Sequence, residues 1–351
     1  PRIVQRIIAA TLFLLLVTGM NGVIVAGDLF NLYVFLEVAA IASYALVAFG
    51  TGHEELEASF KYIVLGSLSS ALILVGVALV YGMTGTLNMA HIAARMSGSD
   101  LGAPLLLAFS LFIVGFSFKA ALVPFHAWLP DAHPSAPAPV SAMLSGVLIK
   151  AIGVYVLARL LFNVFGASST ELGLLRWLGA LSMVVGALLA AGQHDIKRLF
   201  AYSSISQVGF MALGFGLGTP LGLVGALYHL VNHAVFKSLL FLNAGAVEYA
   251  TGTRELRQLG GLNRALPVTG ATSLIGSMSI AGVPPFNGFW SKLIIVLACA
   301  EAGYYGFATA AVLVSILTLA YQLKVQRAAF FSALPQALRG TAGVLRGEPR
   351  M

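Results

Sequence analysis

The sequence predicts an all-α integral membrane protein of about ten transmembrane helices, set out as two inverted five-helix repeats, each with one proline-broken helix. Three observations carry this. Hydrophobic residues make up 59% of the 351 residues, mean hydropathy is +0.92 and charged residues are 9%, against about 25% in soluble proteins. So few charges cannot cover a water-facing surface, which excludes a soluble enzyme, a disordered chain and a nucleic-acid-binding domain. The apolar runs recur at bilayer length, roughly 20 residues. Two of them are overlong and carry prolines mid-run.

Taken in order, the runs predict spans at 7–26, 29–50, 58–82, 103–133, 139–165, 174–191, 197–217, 221–248, 267–299 and 304–324, separated by Gly, Pro and charge. Val123-Pro124 interrupts the fourth, and Val283-Pro284-Pro285 the ninth. Proline removes a backbone donor and clashes with the preceding turn, so both are read as discontinuous helices. Repeat one covers about 7–165 and repeat two about 174–324 within a single membrane domain. Five spans per repeat make the second insert upside down relative to the first, the arrangement of many transporters whose broken helices mark the ion path.

The basic residues test the layout. Arg2, Arg6, Lys61, Lys197, Arg198, Arg254, Arg257, Arg264, Lys324, Arg327, Arg339, Arg346 and Arg350 fall on one side, and only Arg95, Arg159 and Arg176 on the other. The net charge of +7 is therefore topology, not a nucleic-acid surface, and both ends of this segment are expected in the cytoplasm. Residues 325–351 read either as a basic amphipathic segment at the membrane surface or as a frayed tail. Cys299 is the only cysteine and no dinucleotide or phosphate-loop motif occurs, so no cofactor and no redox chemistry of its own are expected.

Charges inside the spans are the informative residues, each costing about 2.5–3.5 kcal/mol at a helix centre. Glu37 lies in the second span, roughly 12 Å deep at 1.5 Å per residue. Lys119 precedes the first break, Lys150 is mid-span in the fifth, Lys237 is on the eighth and Lys292 follows the second break. His229, His233 and Lys237 stack on one helical face. A single intramembrane lysine can be structural; five central charges with a lysine near each break point to proton handling, because a buried amine beside a carboxylate sits poised between charged and neutral. As an H-x-x-x-H pair, His229 and His233 lack the further ligands a metal needs. His126, Asp131 and His133, in PFHAWLPDAHP, either gate an access path or cap a re-entrant turn. His53 and His91 are expected in loops. In HDIKRL (194–199), Asp195 is expected to cap the next helix and Lys197 and Arg198 to set topology.

At this point a family is visible. GDLFNLYVFLEVAAIASY (27–44), FKAALVPFHAWLPDAHPSAPAPVSAMLSGVLIKAIGVY (118–155), HDIKRLFAYSSISQVGF (194–210), LYHLVNHAVFKSLLFLNAGAV (227–247) and GGLNRALP through GVPPFNGFWSK (260–292) resemble the antiporter-like membrane subunits of respiratory complex I, membrane-bound hydrogenases and Mrp-type sodium/proton antiporters. DLFNLYVFLEV is most similar to the D-type subunit of Mrp antiporters. The resemblance implies that Glu37 pairs with Lys119, that Lys150 is a connecting lysine, that His229, His233 and Lys237 form the central relay, and that Lys292 is the terminal lysine. It also implies other membrane subunits as partners, protons and sodium as ions, and a prokaryotic cell membrane. Relative to fourteen-helix family members the usual first three helices and the last are not in this sequence, which begins at Pro1; a shortened or truncated chain is expected. The expected function is proton or cation/proton translocation. The rivals are the non-redox, proton-pumping arm of NADH:quinone oxidoreductase or of an energy-converting hydrogenase, and a scaffold that conducts nothing.

Overall fold

The computed structural model describes residues 2–96, 103–166, 168–333 and 335. Among them the chain is helical almost throughout: α1 (Arg2–Val25), α2 (Leu29–Val47), α3 (His53–Thr84), α4 (Met89–Met96), α5 (Ala103–Ala120), α6 (Leu129–Ser135), α7 (Ala138–Phe165), α8 (Ser169–Gly192), α9 (Ile196–Gly216), α10 (Pro220–Thr251), α11 (Pro267–Ala281), α12 (Asn287–Glu301) and α13 (Tyr305–Phe331). Eight are long and apolar enough to cross a membrane, namely α1, α2, α3, α7, α8, α9, α10 and α13. The broken pairs α5/α6 and α11/α12 supply the other two of the ten expected crossings.

The differences from expectation lie at the ends of elements. His53 opens α3 and pairs with Glu57 at 3.9 Å, and His91 sits in the short helix α4. The last helix runs on to Phe331, so the start of the expected tail belongs to it; residues 336–351 lie outside the described residues. In α7 the backbone is π-helical over Leu144–Tyr155 and again over Leu160–Phe165. The sequence carries no cue for this widened turn, a form that often accompanies functional sites.

Both breaks form where proline interrupts a run. At the first, Ala121 takes φ 55°, a left-handed conformation costing an alanine about 1–2 kcal/mol. The Val123 N–H leaves the helix ladder and donates to Ser182 Oγ of α8 at 2.9 Å. At the second, Gly282 (φ 82°) closes α11 by donating to Met278 O and Ser279 O. The Val123–Pro124 and Pro284–Pro285 bonds are cis.

The two halves repeat one frame at a constant offset in number. Asp28 caps α2 and Asp195 caps α9, each through its carboxylate. Asp28 pairs across an antiparallel bridge with Asn88, and Asp195 with Glu255. The α3 helix ends at Thr84-Gly85-Thr86 and α10 at Thr251-Gly252-Thr253. In both, the first threonine bonds its own helix and the third residue of the turn, with glycine in the left-handed region. Since α3 and α10 are each 32 residues long, Glu37 of α2 corresponds to Ser204 of α9, and Ser70 of α3 to Lys237 of α10.

Helix α9 runs through the middle and is buried along nearly its whole length, although Ser203, Ser204, Ser206 and Gln207 lie within it. It meets α8 at close range because Gly179, Gly186 and Gly209 carry no Cβ; one added to Gly209 would come within 2.3 Å of the Met183 nitrogen. The polar side chains of α9 bond to three neighbouring helices: Ser204 to Ser145 of α7, Gln207 to His229 of α10, and Ser203 to Tyr321 of α13.

Candidate functional site

Three helices build the first part of the site. Glu37 of α2 is partly exposed; Lys119, in the last turn of α5, is buried. Their direct separation, Nζ to Oε1, is 3.8 Å, longer than a hydrogen bond. Ser70 of α3 lies between them: Lys119 Nζ donates to Ser70 Oγ at 2.9 Å, and Ser70 Oγ donates to Glu37 Oε1. Lys119 also donates to the Gly66 carbonyl at 3.4 Å, one turn earlier on α3.

The π-helical segment of α7 places Lys150 in the interior, where it is 2% exposed. Its Nζ has no hydrogen-bond partner among the described residues, and neither does that of Lys237, whose ammonium lies 5.3 Å from the Phe200 ring centroid. The buried His233 is likewise without partners at both ring nitrogens. His229, one turn earlier on α10, is held at both: Nδ1 is 2.9 Å from Ser291 Oγ and Nε2 is 3.2 Å from Gln207 Oε1. The two imidazoles are 6.2 Å apart. His233 lies within electrostatic range of Lys150, Lys237, His229 and Lys292, His229 of Lys150 and Lys292, and Lys150 of Lys237.

Lys292 of α12 returns to the break. It donates to the Ile280 carbonyl at 2.8 Å and reaches that of Ala281 at 3.5 Å. These carbonyls end α11, where no further turn takes them up, and the negative end of the helix dipole favours a cation there. A cavity of about 240 Å³ opens beside Lys292 between α12 and α13, lined by apolar residues including Val283, Phe289 and Ile316.

The three residues of the α5–α6 segment separate. Asp131 accepts from Lys61 of α3 at 3.0 Å and from Arg198 of α9 at 3.2 Å, a partly exposed clasp joining α3, α6 and α9. His133 is fully buried with neither ring nitrogen hydrogen-bonded among the described residues, stands 5.0 Å from the Phe241 ring, and is within electrostatic range of Lys150, Lys237 and Lys197. His126 lies in the break itself, half-buried.

Lys197, expected only to set topology, is buried in the first turn of α9 and paired with Glu248 at 2.8 Å. A cavity of about 580 Å³ reaches this pair from the same end of the bundle. Sequence reading also passed over Ser70, Gln207 and Ser291. Serines in apolar helices bond their own backbone as readily as a neighbour, so only the helical spacing of Gly66 and Ser70 on one face could have marked them. Among the described residues no group of three His, Cys, Asp or Glu side chains is placed to hold a metal.

Broken helices in a duplicated frame, around a series of buried lysines and histidines, define a class of polytopic membrane protein. The chain belongs to the NADH:quinone oxidoreductase/Mrp antiporter transmembrane family, which matches residues 26–318. It is 40% identical to NADH-quinone oxidoreductase subunit N of Desulforudis audaxviator over 93% of its own length, and 39% identical to the Na(+)/H(+) antiporter D-type subunit of Alkalihalophilus pseudofirmus over 91%. It spans 65% of the length of each. Among solved structures it superposes on a chain of the Mrp complex from Dietzia sp. DQ12-45-1b with TM-score 0.87 at 37% identity, covering 92% of this chain and 60% of that one. It also superposes on a chain of the membrane-bound sulfane sulfur reductase, an archaeal respiratory membrane complex, with TM-score 0.87 at 39% identity, covering 96% and 70%. The family match takes in both broken helices and all the buried charges.

Proposed function

We propose that this chain translocates protons, or exchanges a cation for protons, through the buried Glu–Lys–His series, as an antiporter-like component of a multi-subunit membrane complex, of the D type found in Mrp antiporters. One observation carries the reading. The charges that oppose membrane insertion converge on the interior, where the α2–α3–α5 corner holds Glu37 and Lys119 and the α7–α10–α12 centre holds the rest. In this scheme the repeats divide at about 7–165 and 174–324. Lys119 and Glu37 form the first half-channel, Lys292 ends the second, and Lys150, Lys237, His233 and His229 join them. Proton motion needs side chains that exchange a proton without a large barrier and a path that water can bridge; the unbonded Lys150, Lys237, His133 and His233 are the groups free to take part. Protons and sodium are the proposed ions, and both chain ends face the cytoplasm of a prokaryotic cell.

The test is Lys119→Ala, with cation-dependent proton flux measured in vesicles holding the assembled complex, with and without sodium. Loss of flux is expected; unchanged flux removes Lys119 from the mechanism. The likeness to an NADH-quinone oxidoreductase subunit N favours a second reading, the non-redox membrane arm of a proton-pumping quinone reductase or a related respiratory complex. Subunits that co-purify with the chain separate the two: iron–sulfur and quinone-site proteins favour the pump, small multi-helix antiporter proteins the Mrp assembly. In a non-conducting scaffold, Glu37→Gln leaves coupling intact.

A further inference from the structure

We propose that the Ser70 hydroxyl is the proton-transferring link between Lys119 and Glu37, so that the first half-channel is a three-residue relay rather than a directly hydrogen-bonded pair. This rests on the translocation reading above. The geometry carries it. At 3.8 Å the ammonium and the carboxylate are too far apart for a hydrogen bond, while each is bonded to the same oxygen, Ser70 accepting from Lys119 and donating to Glu37. A serine hydroxyl is at once donor and acceptor, and here both capacities are used in series.

The transfer balances without any other reactant. Lys119 gives an N–H proton to Ser70 Oγ as Ser70 Oγ–H passes its own proton to Glu37. An ammonium and a carboxylate become an amine and a carboxylic acid. The serine is chemically unchanged, with its O–H now directed toward the amine. Reversal of that one O–H bond vector records which way the proton last moved, and the link carries the next proton only after the hydroxyl turns back.

The surroundings hold the hydroxyl in place. Ser70 is 4% exposed on α3, one turn from Gly66, whose carbonyl takes another ammonium donor. On α10, in the other repeat, the position equivalent to Ser70 is Lys237. The frame therefore puts a proton-carrying group at this point twice, a hydroxyl beside the carboxylate of Glu37 and an amine where the position matching Glu37 is Ser204.

The test compares Lys119→Ala, Ser70→Ala, Ser70→Thr and Ser70→Cys in vesicles holding the assembled complex, reading proton flux and the infrared carbonyl band of protonated Glu37, assigned by its disappearance in Glu37→Gln. Ser70→Thr is expected to keep flux and band. Ser70→Ala is expected to lower flux on the order of tenfold or more and to lose the band, which a packing role alone would not remove. Native flux and band in Ser70→Ala, with flux lost in Lys119→Ala, overturn the relay and leave translocation standing. Native flux in Lys119→Ala overturns the translocation reading itself. If Ser70→Ala fails to assemble, Ser70→Cys decides: its weaker hydrogen bonding is expected to reduce flux severalfold, and native flux there counts against the relay.

Discussion

Lys292 Nζ lies 2.8 Å from the carbonyl oxygen of Ile280, so the lysine that follows the second break is hydrogen-bonded to the helix that precedes it. The same side chain that interrupts the apolar run closes the gap the prolines open. Removal of the ammonium by Lys292→Met is expected to strip the buried Ile280 carbonyl of this donor and to cost about 1–3 kcal/mol, read as a lower unfolding temperature of the purified complex. Flux is expected to stop. A variant with native stability and native flux would take Lys292 out of both roles.

Asp131 behaves differently because its partners face solvent. Its pairs with Lys61 and Arg198 join α3, α6 and α9, and exposed ion pairs contribute little. Asp131→Asn is therefore expected to keep flux within about twofold and to weaken assembly only slightly, the effect fading as salt is raised. An order-of-magnitude loss of flux at unchanged assembly would make Asp131 a gate instead of a clasp.

Gly66, whose carbonyl accepts from Lys119, leaves room for the Tyr44 hydroxyl. A Cβ there would stand 2.0 Å from Tyr44 Oη. The Tyr44 ring is fixed edge-on against Tyr62, which itself stacks on Trp128 at 4.1 Å. Gly66→Ala is expected to displace this aromatic stack, to cost about 1–3 kcal/mol and to lower flux along with stability. Native thermal stability in the variant would show that the stack yields freely.

Gly85 and Gly252 end the two equivalent helices at φ 64° and 74°. A Cβ on Gly252 meets nothing within 4 Å, and one on Gly85 has only an arginine nitrogen at 3.5 Å. Only backbone conformation then sets the cost, about 1–2 kcal/mol for alanine at each site. Matched unfolding shifts for Gly85→Ala and Gly252→Ala are expected, and a marked difference would show that the two turns are not energetically equivalent.

Much of this was legible in the sequence. Hydropathy found the crossings, and Pro124, Pro284 and Pro285 found the breaks, because proline acts locally whatever surrounds it. The titratable residues announced themselves by violating their apolar context. Partnership was not legible. Lys119 and Lys150 look alike in sequence, yet one is bonded and the other is not, since that depends on which helix face comes within 3 Å. The widening of α7 around Lys150 has no residue pattern to announce it. The paired Thr-Gly-Thr turns, with Asp28 and Asp195 ahead of them, were the readable mark of duplication, and hydropathy ignores them because threonine and glycine are nearly neutral on that scale.

The equivalence of Glu37 with Ser204, and of Ser70 with Lys237, gives the duplicated frame unlike occupants. One half sets an acid, Glu37, beside Lys119; the other has Ser204 at the matching place and gathers Lys237, Lys292, His229 and His233. Identical scaffolding thus becomes an electrically lopsided body. On the proposed proton path, a migrating positive charge is then expected to be favoured beside Glu37 and disfavoured among the buried amines, before any neighbouring protein adds its own field.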